Sequence, residues 1–427
     1  MRKNFARVSI LFIALMIISI ISGVAAAAQK QTLRVGVEAW MLKKFDLQNA
    51  AQIFMKDHPE VEVEYVQVET ADNTSYLLQW SQKKTSVDMV IGGSRENAVP
   101  YVAKDLLMNF DEGFFDQKVA REDFIPAFLD LGKIEGTQYL IPIQGQIMYV
   151  TVRKDLMKKA GLTDKEGNVI PAKNWDEFYE YAKKLTEKED NKVVTSGLAI
   201  DWGKNFMAYS YLSSLQGVRG SIYANEKSNI IDFRSDEASH MLKVWNNLVK
   251  DGYTPVDTFA DMDAGRSNFQ AGNVAMHISS VSRWKEASEI LGADKVTGMP
   301  LPGADRNGTI AFVSGIMIPK VSENPELAKL FIKERLMDRE FQLWTLNKYG
   351  KMPVLKRNYE GADAPIWSEI LKSAVKAGSC PLYKDWPRLD NEMNIQLQSA
   401  IMGKTPIEKV LKNLDGYVRS INTSSGL

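Results

Sequence analysis

The chain has 427 residues, 45% hydrophobic, 25% charged and 10% aromatic, enough length for two to four domains and enough apolar surface for real cores. Disorder, a collagen-like fibre and a disulfide scaffold are excluded. Lys and Arg number 53, as do Asp and Glu, so no chain-wide basic field exists to hold nucleic acid, and the single cysteine, Cys380, leaves neither an internal disulfide nor a thiolate cluster for zinc.

Arg2, Lys3 and Arg7 precede an apolar run over 8–24, and four alanines, Ala25 to Ala28, follow before Gln29. Charge, apolar stretch and small residues in that order are those of a secretory signal peptide over 1–28, cleaved after Ala27 or Ala28; an uncleaved anchor is the alternative. No other stretch reaches the ~20 apolar residues of a membrane span, and no cysteine beside the cleavage point offers a lipid anchor. The mature chain is therefore expected to be exported, periplasmic and soluble. Removing three cations leaves 50 positive against 53 negative charges.

Beyond Gln29, short β-rich runs alternate with longer helical patterns, which predicts α/β domains built on mostly parallel sheets. Strands are expected over 33–37 and 61–68, joined by a helix on which Leu47, Ala50, Ala51, Phe54 and Met55 recur at helical spacing. A third strand over 87–91 runs into Gly92-Gly93-Ser94. Asn174 caps a helix into which Glu177 reaches back, with Phe178, Ala182 and Leu185 on one face. Ser235 starts another, striped by Ala238, Met241, Leu242, Trp245, Leu248 and Val249 and stopped at Gly252. Asn324-Pro325 and Thr405-Pro406 each place proline at a first helical position. No repeat, low-complexity tract or long linker interrupts the series.

The reactive inventory is thin. His58, His240 and His277 are far apart and form no metal pair, which leaves them structural or solvated. Cys380 precedes Pro381 with no histidine nearby, as for a buried inert thiol. Gly403-Lys404-Thr405 fails as a phosphate loop because Gln398 stands where glycine is required. Gly92-Gly93-Ser94 could turn backbone N–H groups toward a ligand, which alone is weak evidence of phosphate binding. Glu62 and Glu64 alternate on an exposed strand face, and no nucleophile elbow is present. No catalytic residue, metal or cofactor is expected. Aromatic residues, by contrast, abound, with 9 Trp, 15 Tyr and 17 Phe. Trp40, Trp202, Trp284 and Trp386 are not claimed by a helix face. Such rings are either core packing or flat platforms for the C–H face of a sugar, with amide, hydroxyl and charged groups around its edge.

Several segments, in order along almost the whole mature chain, resemble the extracellular solute-binding proteins of ABC transporters, in particular the maltose-binding-like group that serves carbohydrate importers. They are Tyr139-Leu140-Ile141-Pro142-Ile143; Tyr149-Val150-Thr151-Val152-Arg153-Lys154-Asp155-Leu156 with Lys159-Ala160-Gly161-Leu162; Asn174-Trp175-Asp176-Glu177-Phe178; and Phe269-Gln270-Ala271-Gly272-Asn273-Val274-Ala275-Met276. Met299-Pro300-Leu301-Pro302-Gly303, Ser314-Gly315-Ile316-Met317-Ile318-Pro319-Lys320, Asn324-Pro325-Glu326-Leu327-Ala328, Pro381-Leu382-Tyr383-Lys384-Asp385-Trp386 and Gly403-Lys404-Thr405-Pro406-Ile407-Glu408 complete the series. Two places depart from the pattern. Gln144 and Gln146 stand in a stretch where some members carry a carboxylate. The run His277-Ile278-Ser279-Ser280-Val281-Ser282-Arg283-Trp284 lacks the Gly-Pro-Trp common in sugar binders.

The resemblance implies a two-lobed, hinge-linked α/β fold with discontinuous lobes. Lobe 1 takes 29–142 and 301–350 and lobe 2 takes 143–300 and 351–427, with hinges near Ile143, Pro300 and Lys351. It implies capture of a sugar or oligosaccharide by domain closure and delivery to a membrane permease, by a monomer, with no nucleic acid partner. The ligand residues it suggests are Glu38, Trp40, Ser94 and Arg95 on lobe 1, the crossing residue Gln146, and Trp202, Ser279, Ser282, Trp284 and Trp386 on lobe 2. The tryptophans would stack, Arg95 and Gln146 would bond hydroxyls, and Glu38 would accept two. Alternatives are a non-sugar solute on the same fold (a polyol, phosphorylated polyol, polyamine or ferric ion), a secreted glycoside hydrolase, and a structural envelope protein. An anionic solute would require converging cations, for which Arg95 and Arg283 are the visible candidates.

Overall fold

The computed structural model describes residues 30–68, 74–203, 206–225, 229–360, 362, 365–383 and 385–423; the expected signal peptide over 1–28 lies outside the described residues. Twelve strands follow in chain order: β1 (Gln31–Glu38), β2 (Val61–Val68), β3 (Met89–Gly93), β4 (Lys133–Ile134), β5 (Thr137–Gln138), β6 (Ile141–Arg153), β7 (Glu187–Glu189), β8 (Lys192–Ile200), β9 (Val274–Ser280), β10 (Val296–Met299), β11 (Ile310–Met317) and β12 (Gly378–Ser379). The opening is the expected β-α-β unit. β1 and β2 pair in parallel from Gln31 opposite Val61 to Glu38 opposite Val68. The helix Leu47–Asp57 between them buries Leu47, Ala50, Ala51 and Phe54.

Helix starts follow the local chemistry. Asn174 Oδ1 accepts the Glu177 N–H at 2.9 Å, while Glu177 Oε2 reaches one residue further back than a reciprocal cap, to the Lys173 N–H at 2.9 Å. Ser235 caps Asp236–Lys250, whose Ala238, Met241, Leu242, Trp245 and Leu248 are buried, and Gly252 beyond it takes a positive φ of 74°.

The main sheet runs β2-β1-β3-β11-β6-β9-β8-β7, with β10 also on β6 and β12 on β11. It is mixed rather than mostly parallel. β11 returns along β3 and β6 antiparallel to both, whereas β8 and β9 are parallel. The 13-residue β6 is buried up to its last residue. Its first half pairs with β11, Gln144 opposite Ser314 and Gln146 opposite Phe312. Its second half pairs with β9 on one side and β10 on the other. β6 thus joins the β2-β1-β3-β11 part of this sheet to the β9-β8-β7 part, and two large buried clusters pack against it. One holds Leu33, Phe54, Phe331 and Leu346; the other holds Val150, Leu198, Trp245 and Leu397. The result is a two-lobed α/β fold.

Candidate functional site

The ends of β1, β3, β8 and β9 open onto the seam that β6 crosses, the place where open α/β sheets bind ligands. β1 ends at Glu38 and continues into the helix Ala39–Lys44. Gly92 near the end of β3 has φ 125°, and a Cβ there would stand 3.1 Å from Glu38 Oε1 and 3.3 Å from Met41 Sδ, so only glycine lets the carboxylate lie over this strand. Glu38 Oε2 accepts the indole Nε1–H of Trp40. Trp40 is 37% exposed and the Lys351 Nζ lies over its ring, 5.3 Å from the centroid. Ser94 caps the helix Arg95–Val102, its Oγ accepting the Asn97 N–H at 3.4 Å. Half-buried Arg95 reaches across to donate to the Cys380 carbonyl, and its Nε is buried without a partner. Beside it Tyr209 stacks on Phe312 with centroids 4.7 Å apart. A cavity of about 10 Å³ between them has room for about one water.

Gln146 ties three segments together. Its Nε2 donates to Gln144 Oε1 and to the Gly350 carbonyl, both at 3.2 Å, and its Oε1 accepts the Ser282 N–H at 3.1 Å. Gln144 Nε2 in turn donates to Ser314 Oγ at 2.9 Å. Both Gln146 amide protons are engaged within the protein, where a role as hydroxyl donor is expected from the sequence, so here the side chain clasps the crossings. Gly350 explains the tightness, because a Cβ there would meet Ser282 Cα at 3.0 Å.

Four of the other expected residues are also corrected. Trp202 is wholly buried, stacked on Phe259 at 5.1 Å and tilted against Trp245 at 5.5 Å. The reason lies next door, where Asp201 accepts from Ser279 Oγ and pairs with His277 Nε2 at 2.7 Å. That anchor holds Asp201 against β9 and sends Trp202 under Asp236–Lys250; it also occupies the Ser279 hydroxyl. Trp284, on the helix Ser282–Leu291, is 6% exposed and stands edge-on to Trp367 at 5.2 Å. Trp386 opens the helix Trp386–Ile401 and is buried in the second core. Helical and strand burial absorbs these rings, so none offers a free face. Of the ten residues, Glu38, Trp40, Ser94, Arg95, Gln146 and Ser282 meet at the seam.

Folding brings in residues that no local motif marks. Ser282 Oγ receives the Lys351 Nζ at 3.5 Å and shares a hydrogen bond with Ser280 Oγ at 3.1 Å. Burial, then the charges of Arg283 and Lys44, push the Lys351 amine down to about 7, with Glu286 pulling the other way. Burial raises the Glu286 carboxyl, but Arg283 and Lys44 outweigh it and hold the group below its usual value. Lys44 reaches Glu286 from the other side of the seam. Among the described residues no group of three His, Cys, Asp or Glu side chains could hold a metal ion.

A binding protein of Brucella abortus (strain 2308) is 23% identical over 339 residues, covering 77% of this chain and 78% of that protein. Among solved structures, maltose-bound MalE3 of T. maritima has a TM-score of 0.75 at 21% identity, covering 91% of this chain and 99% of that chain. An ABC transporter solute-binding protein of Agrobacterium vitis S4, with bound D-mannitol, has a TM-score of 0.70 at 21% identity, covering 93% and 99%. The model of the bacterial extracellular solute-binding protein family matches residues 37–334, a span that takes in the end of β1, the crossing strand β6 and the helix Ser282–Leu291, but neither Lys351 nor Cys380. The chain belongs to that family.

Proposed function

We propose that this chain captures a sugar or polyol between its lobes and hands it, unconverted, to the membrane permease of an ABC importer. The observation that carries this reading is β6, one buried strand that joins the two parts of the sheet and about which the two walls of the seam can turn. Lobe 1 would be 29–142 with 301–350 and lobe 2 would be 143–300 with 351–427, turning near Ile143, Pro300 and Lys351. Contacts across the seam support closure there: Lys44 on Glu286, Arg95 on the Cys380 carbonyl and Lys351 over Trp40. A solute favours the closed form only by its differential affinity for it, and moving a 1:99 equilibrium to 99:1 takes about 5.5 kcal/mol. Trp40 offers an apolar platform, with Glu38 and Arg95 for hydroxyls at its edge. The maltose and mannitol held by the similar proteins support a polyhydroxylated solute. Export through a 1–28 leader, and action as a monomer in the periplasm, accord with the extracellular character of the family.

Thermal melting of the mature chain against mono- and disaccharides and polyols tests the reading. A solute at 100 times its Kd should add about 2.7 kcal/mol to stability, shrink the radius of gyration in solution scattering, and be recovered unchanged. A flat response across the panel, or a chemically altered sugar, overturns it.

A further inference from the structure

Four cations from four separate stretches of chain converge at the Trp40 end of the seam: Lys44, Arg266, Arg283 and Lys351. Two carboxylates answer them. Glu286 takes Lys44, Arg283 at 3.1 Å and Arg266 at 3.6 Å. Asp263 takes Arg266 at 3.3 Å and Arg283 at 3.4 Å. Both acids are thus shared, and Lys351 has neither: among the described residues no carboxylate lies within 4 Å of its Nζ, and its one hydrogen bond is the long one to Ser282 Oγ. Glu38 accepts from the Trp40 indole.

Two further features add positive character at the same point. Ser282 is the first residue of the 10-residue helix Ser282–Leu291, whose N-terminal end carries a partial positive charge. The Arg283 Nε is buried without an acceptor. Lys351 cannot retreat easily, because Gly350 is pressed onto Ser282 and the carbonyl of Gly350 is held by Gln146. A neutral sugar would leave this excess of positive charge as it stands. A carboxylate or phosphate would neutralise it through a charge-assisted hydrogen bond from Lys351, in the favourable field of the helix start.

We infer that the solute of this seam is an acidic sugar or polyol whose carboxylate or phosphate sits beside Lys351 at the N-terminal end of the helix Ser282–Leu291. This rests on the sugar-binding reading above and narrows it. The positive excess also fits the lowering of the Lys351 amine, which an anion would reverse.

The test is calorimetric titration of the mature chain at pH 7 with matched sets: glucose, glucuronate and glucose 6-phosphate; galactose and galacturonate; mannitol, mannonate and mannitol 1-phosphate. The acidic member of at least one set should bind about tenfold or more tightly than its neutral parent, and the uronate and phosphate arms tell the two anions apart. Within Lys351→Met the acidic member should lose its advantage over the neutral parent, whatever the variant's absolute affinities, and Lys351→Arg should restore part of that advantage. Melting of the unliganded variants checks that both fold, and if Lys351→Met fails that check, the neutral-against-acidic comparison in the natural protein still decides. A neutral parent that binds as tightly as its acidic partner, or an acidic preference untouched by Lys351→Met, overturns the inference and leaves the sugar reading standing. No binding by any member of any set overturns both.

Discussion

Trp284 separates the two readings of this chain's tryptophans, because a ring that stacks on solute and a ring that fills a core respond differently to removal. The side chain is 6% exposed and meets Trp367 edge-on at 5.2 Å. Burying an indole removes about 200 Å² from water, which at ~25 cal/mol per Å² contributes about 5 kcal/mol. Its Nε1–H has no partner, and deleting that group recovers about 1–2 kcal/mol. Trp284→Ala should therefore lower the unfolding free energy by about 3–4 kcal/mol, in the usual range for aromatic-to-alanine changes in cores. Trp284→Phe keeps a ring against Trp367 and discards the unpaired donor, so it should stay within about 1 kcal/mol of the parent. Equilibrium unfolding in urea, followed by far-ultraviolet circular dichroism on the unliganded protein, measures both. If Trp284→Ala costs less than about 1 kcal/mol yet abolishes solute binding, the ring belongs to the binding site and the placement argued here is wrong.

Trp40→Ala is the converse: it should leave urea stability within about 0.5 kcal/mol, as for a half-exposed side chain, while weakening solute binding at least tenfold, and unchanged affinity in the titration would remove Trp40 from the site. Gln146→Leu strips partners from the Ser282 N–H, the Gly350 carbonyl and Gln144; with buried orphans costing about 1–3 kcal/mol each, the same urea series should show a loss of at least about 2 kcal/mol. Gly92→Ala should clash with Glu38 and strain a left-handed backbone, and a melting temperature unchanged from the parent would contradict the close approach described. Lys351 also predicts a pH dependence. Its amine titrates near 7 in the folded chain and near 10.5 unfolded, so between those values the unfolded chain binds more protons and stability rises with pH. The advantage of Lys351→Met over the parent in urea should accordingly be largest near pH 6 and vanish by about pH 10.5; a gap independent of pH would refute it.

Local patterns made the fold largely legible. Periodicity placed β1, β2 and the helix between them, and the caps at Asn174 and Ser235 marked helix starts, because these depend on residues within one or two turns of each other. The site was legible only in outline. The end of β3 is legible because a strand running into Gly92-Gly93-Ser94 has a local signature; that the loops after β1 and β3 hold solute is the reading proposed above. Trp202 and Trp284 misled because burial is a tertiary property: Asp201 meets His277, and Trp284 meets Trp367, across chain separations that no window spans. Lys351 shows the opposite failure. A lysine beside a glycine carries no signal by itself, and it becomes unusual only when Lys44 and Arg283 are brought around it. The mixed character of the sheet was missed for a similar reason, since nothing in the 310–317 segment announces that it returns antiparallel between β3 and β6.

That return has a temporal side. Gly93 pairs with Gly315, so the seam of the first sheet stays open until a late stretch of the chain has been made, and β3 keeps a bare edge until then. Pairings so distant in sequence are slow to form. The edge of β3 is thus covered only after β8, β9 and β10, which precede β11 in the chain, have been made.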